Sequence, residues 1–371
     1  MKICYMGNSI SIHNQRWSNL LAQRGHEVHF ITLNPPVKID GVKMHSLFTP
    51  MRRYLEAAFI LKKPEIRKLV EELKPDILHG HFLSDYGFYA SAMNFRPLVV
   101  STWGSDVLIH PKKSLIYRWR VKTTCRKADA VTAETEMMAD ELKNNFEVPA
   151  KKIKVFPWGI DIKMFGKGYD KQINKERKKL KLDGKAPVIF SPRSIKPVYG
   201  INTIVDSIPA VVKEFPGAMF VFAKGYSEEL YEKVIKDKVH NSKIKNNVIF
   251  VDSYFSDEDM AMWYNLADVF VSASQSDTIS LSVLEGMACG SVPVVSDIKG
   301  NKELIEDKKN GFVFSLGNKG ALAEKITAAL KGGRALKEKF GRTNKKIIEA
   351  KYSVKRSIDN LEKVYSELKK P

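Results

Sequence analysis

Two carboxylates, Asp277 and Glu285, lie eight positions apart in one segment of the chain. A polar loop that contains Asp277 leads into a periodic apolar stretch that contains Glu285 and ends at Gly290. This pattern predicts a helix that begins near residue 280, because a polar start and a terminal glycine bound the apolar stretch. The first amides of a helix lack an intrahelical acceptor and favour an anion. We therefore expect both carboxylates to flank one anion-binding pocket, which suits a sugar nucleotide.

A second segment, residues 190–200, contributes cations. Its pattern predicts a buried strand followed by a proline-containing loop with Arg193 and Lys196. Gly200 then precedes the next predicted helix. An arginine presents a planar fork to phosphate oxygens, whereas a lysine presents a point charge. Such cations stabilise the negative charge that grows on a departing diphosphate. We therefore predict that Arg193 and Lys196 are catalytic.

The elements that must position these groups follow from an alternation of short apolar runs with helical periodicity. The predicted strands are residues 2–6, 28–32, 76–79, 98–103, 128–132 and 153–156, followed by 188–191, 218–224, 248–252, 268–272, 292–296 and 311–314. This alternation predicts parallel sheets that are covered on both faces. The length of 371 residues suits two domains.

The two strand series are separated by residues 166–186, which are rich in lysine and glycine. We predict an α/β protein with two Rossmann-like domains, at 1–160 and 161–352, whose sheets face an interdomain cleft. Residues 353–371 are predicted to form an amphipathic helix. A return of this helix to the N-terminal domain is a hypothesis.

The segment with the two acids resembles the signature of family 4 of the glycosyltransferases, which are retaining enzymes of GT-B fold. In that family two acidic residues separated by seven others precede a tail with Met-Ala-Cys-Gly and Pro-Val-Val, both present here within residues 287–295. Asp277 stands where the family usually has glutamate, and residues 278–280 replace Gly-Phe-Gly. Residues 156–165 are similar to the turn that enters the family's C-terminal domain.

The resemblance implies a transfer from a nucleotide-sugar donor, with UDP as the commonest leaving nucleotide, and neither a metal nor another cofactor. It implies that Glu285 holds the ribose and that Asp277 contacts the transferred sugar. The family's lysine directly precedes its glycine, whereas Tyr199 takes that place here and Lys196 is the available lysine. The remaining implied donor-binding residues are Thr278, Ile279, Ser280, Leu281 and Tyr254.

In the N-terminal half, the candidates follow predicted strands. The first loop lacks GxGxxG, which argues against an NAD site and suits an acceptor or diphosphate contact. Residues 101–106 resemble a family turn whose histidine is replaced by Trp103, an aromatic that suits stacking on a sugar. Asp106 also suits a simple turn, and His81 a satisfied buried histidine. The candidates are Gly7 and Trp103 on the donor side, Asp106 as a catalytic residue, and His13, Arg16 and His81 on the acceptor side.

The net charge of +19 attracts polyanions but does not choose among them. Residues 51–74 and 112–126 mix cations with large apolar side chains, which favours an anionic membrane surface. We therefore expect a glycan or lipid-linked acceptor, with peripheral attachment to the inner face of the membrane as a hypothesis. The alternative is that these helices pack on their own domain. The chain lacks an apolar run of about 18 residues, so we expect a cytoplasmic protein.

Two other classes of function remain as alternatives. A sugar-nucleotide epimerase of the same architecture would share the base and phosphate pockets but would require an acid and a base around the sugar. A basic nucleic-acid-binding protein is suggested by charge alone, without a recognisable nucleic-acid motif, and we expect no nucleic-acid partner. The three cysteines are scattered, and we predict Cys4 and Cys289 to be packed thiols.

Overall fold

The computed structural model describes residues 1–48, 55–166, 168–180, 182, 186–225, 227–251 and 255–369. The predicted donor-binding residue Tyr254 lies outside these residues. The chain forms two compact units. One comprises residues 1–157 with the C-terminal residues from 357 onward, and the other comprises residues 158–356. Both are parallel-sheet α/β units, so the predicted fold class is confirmed.

The first unit is built on a seven-stranded parallel sheet with the order β3-β2-β1-β4-β5-β6-β7. Its strands are β1 (Lys2–Met6), β2 (Glu27–Thr32), β3 (Val42–Ser46), β4 (Ile77–His81), β5 (Leu98–Ser101), β6 (Ala130–Ala133) and β7 (Ile153–Val155). The helices between them are α1 (Ile12–Gln23), α2 (Leu55–Leu73), α3 (Tyr86–Ser91), α4 (Ser105–Leu108), α5 (His110–Lys113), α6 (Leu115–Lys127) and α7 (Glu136–Phe146). The strand order reverses between β1 and β4, which makes their carboxyl ends the switch point where ligands bind in such sheets.

The second unit repeats this plan with a six-stranded parallel sheet in the order β10-β9-β8-β11-β12-β13. Its strands are β8 (Val188–Ser191), β9 (Met219–Phe222), β10 (Val248–Phe250), β11 (Val269–Ser272), β12 (Val292–Ser296) and β13 (Phe312–Phe314). The helices are α8 (Asp170–Lys179), α9 (Ile201–Glu214), α10 (Glu229–His240), α11 (Asp257–Leu266), α12 (Leu281–Cys289), α13 (Lys299–Leu304) and α14 (Lys319–Lys351), the last broken at Gly333. Here the switch point lies between β8 and β11.

The last helix, α15 (Val354–Leu368), packs on the first unit from residue 357 onward. Its buried face includes Ile358, Leu361 and Tyr365. The Tyr365 hydroxyl lies 2.5 Å from Nδ1 of His79 in the middle of β4. At the surface, Nη2 of Arg24 donates to a carboxylate oxygen of Glu362 over 2.6 Å. These contacts fasten the helix beside the sheet of the first unit.

The predicted strands are found with small shifts at their ends, but the sequence interpretation missed β3. Its residues Lys43 and His45 interrupt the apolar pattern, and the strand lies at the edge of its sheet. The predicted packed thiols are confirmed, since Cys4 and Cys289 are both buried. Burial raises the pKa of the Cys4 thiol to about 12.

Two close backbone approaches in the second unit require glycine. Gly200 has a φ of +62°, and a Cβ there would lie 2.2 Å from the carbonyl oxygen of Ala273. A Cβ on Gly300 would lie 1.6 Å from the carbonyl oxygen of Thr278. These approaches bring the loop after β8 and the start of α13 against the loop that follows β11. The path of that loop therefore depends on both glycines.

We predict that Gly300→Ala destabilises the protein by about 1–3 kcal/mol, because the added methyl group overlaps a backbone carbonyl that cannot rotate away. Urea unfolding measures the change in the free energy of unfolding. Gly217→Ala is the matched control, since a Cβ at Gly217 meets nothing within 4 Å. Equal stability of the two variants would contradict the close approach.

Candidate active site

The loops that follow β8 and β11 meet at the switch point of the second unit. The amide of Gln275 donates a hydrogen bond of 2.8 Å to the carbonyl oxygen of Val198. Gly200 adds the close approach to Ala273 described above. Because these loops are joined through their backbones, the side chains that they carry are held in a fixed relation. The loop after β8 carries Arg193, and the loop after β11 carries Asp277.

Arg193 is the centre of this group of side chains. Its Nη1 donates to the hydroxyls of Ser280 and Ser282 over 2.7 and 3.0 Å. Its Nη2 lies 2.9 Å from Oδ2 of Asp277. The guanidinium carbon lies 4.0 Å from the centre of the Tyr199 ring. The guanidinium is thus held against the start of α12, with only 15% of its side chain exposed.

The two carboxylate oxygens of Asp277 differ in their hydrogen bonding. Oδ1 accepts a hydrogen bond of 3.2 Å from the amide of Thr278. Oδ2 lies close to Arg193 but outside hydrogen-bond geometry, and it has no hydrogen-bond partner among the described residues. We take the short distance as an ion pair with a poor angle. Oδ2 therefore keeps the capacity to accept a hydrogen bond from a ligand.

The first turn of α12 adds backbone donors to the group. Ser280 is the N-cap residue, and its side chain does not cap the helix. Instead its hydroxyl lies 2.7 Å from that of Ser282 and accepts from Arg193. Because the first amides of a helix have no intrahelical acceptor, the amides near Leu281 are oriented donors beside a guanidinium. This arrangement suits an anion with more than one charge.

Glu285 lies one turn further along α12 and is buried. Its Oε2 lies 3.5 Å from the hydroxyl of Tyr264, which donates its shorter bond, 2.7 Å, to the carbonyl oxygen of Ser282. Burial raises the pKa of Tyr264 well above its usual value, and the charge of Glu285 adds to this effect. Ser282 and Tyr264 thus connect Arg193 and Glu285 along the first turns of α12.

Lys196 lies apart from this group. It is half-buried and precedes the short 3-10 turn Pro197–Tyr199. Among the residues that the structure describes, its side chain has no hydrogen-bond or ion-pair partner. Tyr199, in the position where the resembled family has its lysine, contacts Arg193 instead. The catalytic role of Lys196 stays a prediction, without a contact to support it.

The structure therefore brings together most of the predicted residues of the second unit. Arg193, Asp277 and Ser280 are in direct contact, and Glu285 is connected to them. Thr278 is buried, and the Ile279 side chain belongs to the hydrophobic core, so only its backbone is a candidate contact. The sequence interpretation missed three residues of the site: Tyr199, Tyr264 and Ser282. Ser282 carried a signal as a second hydroxyl in the predicted helix start, and Tyr199 carried one as the residue in the place of the family's lysine.

In the first unit, several predicted residues gather where β1, β4 and β5 end. The indole Nε1 of Trp103 donates to Nδ1 of His81 over 3.2 Å. The ring of His81 stacks on Tyr5 with centroids 4.0 Å apart. The ring of His13 lies 5.4 Å from that of Trp103. These rings form an aromatic group at the switch point of the sheet, in which Trp103 and His13 are half-exposed.

Gly7 and Arg16 lie near this group along the chain. The amide of Gly7 donates to the carbonyl oxygen of Ile31 over 3.3 Å. A Cβ on Gly7 would lie 2.9 Å from Nδ2 of Asn14. Gly7 thus allows α1 to pack closely on the end of β1, and its predicted donor contact stays a prediction. Arg16 is half-buried in α1.

Asp106 is fully buried and joins the loops after β4 and β5 through hydrogen bonds. Its Oδ1 accepts from the amide of Trp103 over 3.0 Å, and its Oδ2 accepts from the amide of Leu83 over 2.8 Å. Burial raises its pKa to about 7, although the backbone hydrogen bonds oppose this shift. Both oxygens are occupied by backbone amides, so a positioning role for Trp103 fits these contacts better than the predicted catalytic role.

Comparisons with known proteins match both units. The family profile described as Glycosyl transferases group 1 matches residues 172–347, and that described as Glycosyl transferase 4-like matches residues 2–135. Spore coat protein SA of Bacillus subtilis is 25% identical over 63% of this chain and 64% of its own length. Alpha-monoglucosyldiacylglycerol synthase of Streptococcus pneumoniae is 28% identical over 66% of this chain and 52% of its own length. The chain thus spans less than two thirds of either relative.

Among solved structures, Anabaena Alr3699/HepE in complex with UDP-glucose has a TM-score of 0.80 and 18% identity, over 99% of this chain and 100% of that one. At this identity the likeness concerns the fold. Two parallel α/β units of this kind make up the GT-B fold. The two family profiles, one on each unit, place the chain among the group 1 glycosyltransferases, so the resemblance to family 4 is confirmed.

We predict that Asp106→Asn destabilises the protein more at pH 5 than at pH 8, by about 1–3 kcal/mol. The folded chain retains the Asp106 proton up to a pKa of about 7, whereas an unfolded aspartate releases it near about 4. The stability contributed by this proton is therefore present at low pH and is lost as the pH rises through about 7. Asparagine does not titrate and also leaves one amide without an acceptor, at a cost of about 1–3 kcal/mol.

Urea unfolding at the two pH values measures this difference. Asp161→Asn, at an exposed carboxylate, is the control for the exchange of an aspartate for an asparagine. A cost of Asp106→Asn that is the same at both pH values would show that Asp106 does not hold a proton in the folded chain.

Proposed function

We propose that the chain is a retaining glycosyltransferase that transfers a sugar from a UDP-sugar to a glycan or a lipid-linked acceptor. The observation that carries this proposal is the Arg193 guanidinium at the first turn of α12, with Asp277 and Glu285 on either side. The match to UDP-glucose-bound HepE supports UDP as the nucleotide. The proposed roles are donor binding for the second unit and acceptor binding for the first.

The proposed first step is the departure of the diphosphate. The bond between the anomeric carbon and the diphosphate oxygen breaks, and negative charge accumulates on that oxygen. Arg193 and the amides near Leu281 stabilise this charge, because they are oriented before the reaction begins. These groups supply the positive charge that the proposal requires, and the proposed reaction uses no metal ion.

In the free chain, Arg193 is paired with Asp277. A bound diphosphate would compete for the guanidinium with more charge than one carboxylate carries. Asp277 would then accept hydrogen bonds from hydroxyls of the donor sugar, which its Oδ2 has the capacity to do. The ion pair thus keeps a partly buried cation neutralised until the donor arrives.

The second step is the attack of an acceptor hydroxyl on the anomeric carbon. In a retaining reaction this attack comes from the face that the diphosphate leaves. The new bond joins the acceptor oxygen to the anomeric carbon, and the hydroxyl proton passes to the departing phosphate oxygen. Trp103 presents an aromatic face for a sugar ring, since its indole N–H is already used by His81.

Glu285 is proposed to hold the ribose hydroxyls of the nucleotide. A buried carboxylate accepts hydroxyl hydrogen bonds strongly. Glu285 is buried one turn after the helix start that holds Arg193, and the Tyr264 hydroxyl lies 3.5 Å from its Oε2.

The lipid-linked form of the acceptor is supported by the similarity to a synthase that is named for a diacylglycerol glycolipid. The mixture of cations and exposed apolar side chains in the first unit also supports it. No helix in the described part of the chain is long and apolar enough to cross a bilayer. Peripheral attachment to a membrane is therefore part of the proposal.

The test is a thermal-shift panel with UDP-, GDP- and ADP-sugars, followed by substitutions. We expect a UDP-sugar to raise the melting temperature of the parent protein, because binding to the folded state stabilises it. Arg193→Ala should abolish most of the shift and lower kcat by about 10²–10³-fold, as the loss of a charge-stabilising donor does. Glu285→Gln should reduce the shift with a smaller effect on kcat.

Arg334→Ala is the control, because this arginine is exposed and lies outside the site. Its shift and its kcat should match those of the parent. A UDP-sugar shift that survives both Arg193→Ala and Glu285→Gln would exclude the proposed pocket. Product with inverted configuration at the anomeric carbon would exclude the retaining reaction.

A further inference from the structure

The largest exposed apolar side chains of the first unit are concentrated on two helices. On α2, Ile60 and Leu61 are 70% and 66% exposed. On α6, Leu115, Ile116 and Trp119 are 83%, 63% and 57% exposed. Single exposed apolar residues are common on proteins, but a group of large ones marks a surface that binds a partner.

These two helices are neighbours, because both pack on α3. Phe59 of α2 stacks on Tyr89 with ring centroids 4.0 Å apart. Trp119 of α6 meets Phe88, the adjacent residue of α3, with ring centroids 5.4 Å apart. The exposed residues of α2 and α6 therefore belong to one surface, which we call the α2–α6 surface and define by Ile60, Leu61, Leu115, Ile116 and Trp119.

An ion pair joins the same two helices directly. Nη1 of Arg120 lies 2.9 Å from Oε1 of Glu56. Ile60 lies one helical turn after Glu56, and Ile116 lies one turn before Arg120. Residues one turn apart share a helix face. Both isoleucines thus lie beside the contact between the helices.

Cations surround the α2–α6 surface. Residues 112–127 contain seven lysines and arginines and no acidic residue. Lys112 and Lys113 are exposed and directly precede α6. On α2, Lys62 and Lys63 follow the exposed pair. Large apolar side chains that are framed by cations are the combination that inserts into the interface of an anionic bilayer.

We propose that the α2–α6 surface docks on an anionic lipid bilayer, with its apolar side chains inserted among the headgroups and its lysines at the anionic surface. A bilayer of this charge is favoured over a protein partner because residues 112–127 combine an excess of positive charge with exposed apolar side chains, although some of the cations are paired with acids elsewhere. This inference deepens the lipid-linked acceptor proposed above. It concerns a surface that is separate from the donor pocket of the second unit.

The experiment is sedimentation of the full chain with large unilamellar vesicles at about 0.15 M salt, where exposed charges are partly screened. One set of vesicles is phosphatidylcholine alone, and the other contains phosphatidylglycerol as about a third of the lipid. We expect binding to the anionic vesicles and little binding to the neutral ones. Leu115→Ser with Ile116→Ser should weaken binding by about tenfold, because it removes two inserting side chains.

The matched control is Leu230→Ser with Val234→Ser on α10, since these two residues are 84% and 61% exposed but belong to the second unit. Replacing these two residues by serine should leave vesicle binding unchanged. For the charges, Lys112→Gln with Lys113→Gln should weaken binding more than Lys243→Gln with Lys245→Gln, which removes the same charge from exposed positions of the second unit.

Absence of binding to anionic vesicles would overturn the proposal, as would equal losses in the test and control pairs. A dimer that forms without lipid and that the α6 substitutions dissociate would also overturn the proposal, because a second copy of the chain would then bind the α2–α6 surface. The UDP-sugar thermal shift of each variant is measured in parallel and should match the parent. Vesicle binding without any such shift would reject the donor proposal and leave the docking surface standing.

Discussion

The second unit concentrates positive charge at one point, because a guanidinium lies against the start of a helix. Arg193 contacts the hydroxyls of Ser280 and Ser282, which belong to the N-cap and first turn of α12. The amides of that turn carry the positive end of the helix dipole. Two positive sources that converge in a site with little exposure require a counter-charge. Asp277 supplies it.

This requirement explains much of the surrounding architecture. Arg193 must lie in the loop after β8, and α12 must begin after β11, so that both are at the switch point of the sheet. The two loops can meet because Gly200 accepts a positive φ, and the start of α13 can pack against the second loop because Gly300 leaves room for the carbonyl of Thr278. The proposed diphosphate site is thus a consequence of strand order and of two glycines, in addition to the charged residues themselves.

The first unit uses its own switch point differently. It gathers aromatic rings rather than cations, with Trp103 bonded to His81 and the loops fixed by the buried Asp106. Its cations lie instead on α2 and around α6, where they frame exposed apolar side chains. Chemistry, acceptor recognition and attachment to a lipid surface are therefore proposed for separate parts of the chain.

Much of the fold could be predicted, because strand–helix alternation is visible in the apolar pattern and glycines bound the elements. The missed strand β3 is an edge strand whose polar residues interrupt that pattern. Within the site, Arg193 and Asp277 could be named because they are charged residues that follow predicted strands, and Glu285 because of its spacing from Asp277 in the family signature. Tyr264 and Tyr199 could not, since their contacts with Glu285 and Arg193 depend on how α11 and a loop pack on α12. The burial of Asp106 could not be predicted, because a sequence does not show whether a carboxylate is buried, and its catalytic role stays a prediction.

A crystal structure of the chain with UDP would show whether Arg193 and the first turn of α12 bind a diphosphate. We expect phosphate oxygens within hydrogen-bond distance of the Arg193 guanidinium and of the amides near Leu281, with the ribose hydroxyls on Glu285. A UDP molecule bound elsewhere, with Arg193 still paired to Asp277, would contradict this expectation.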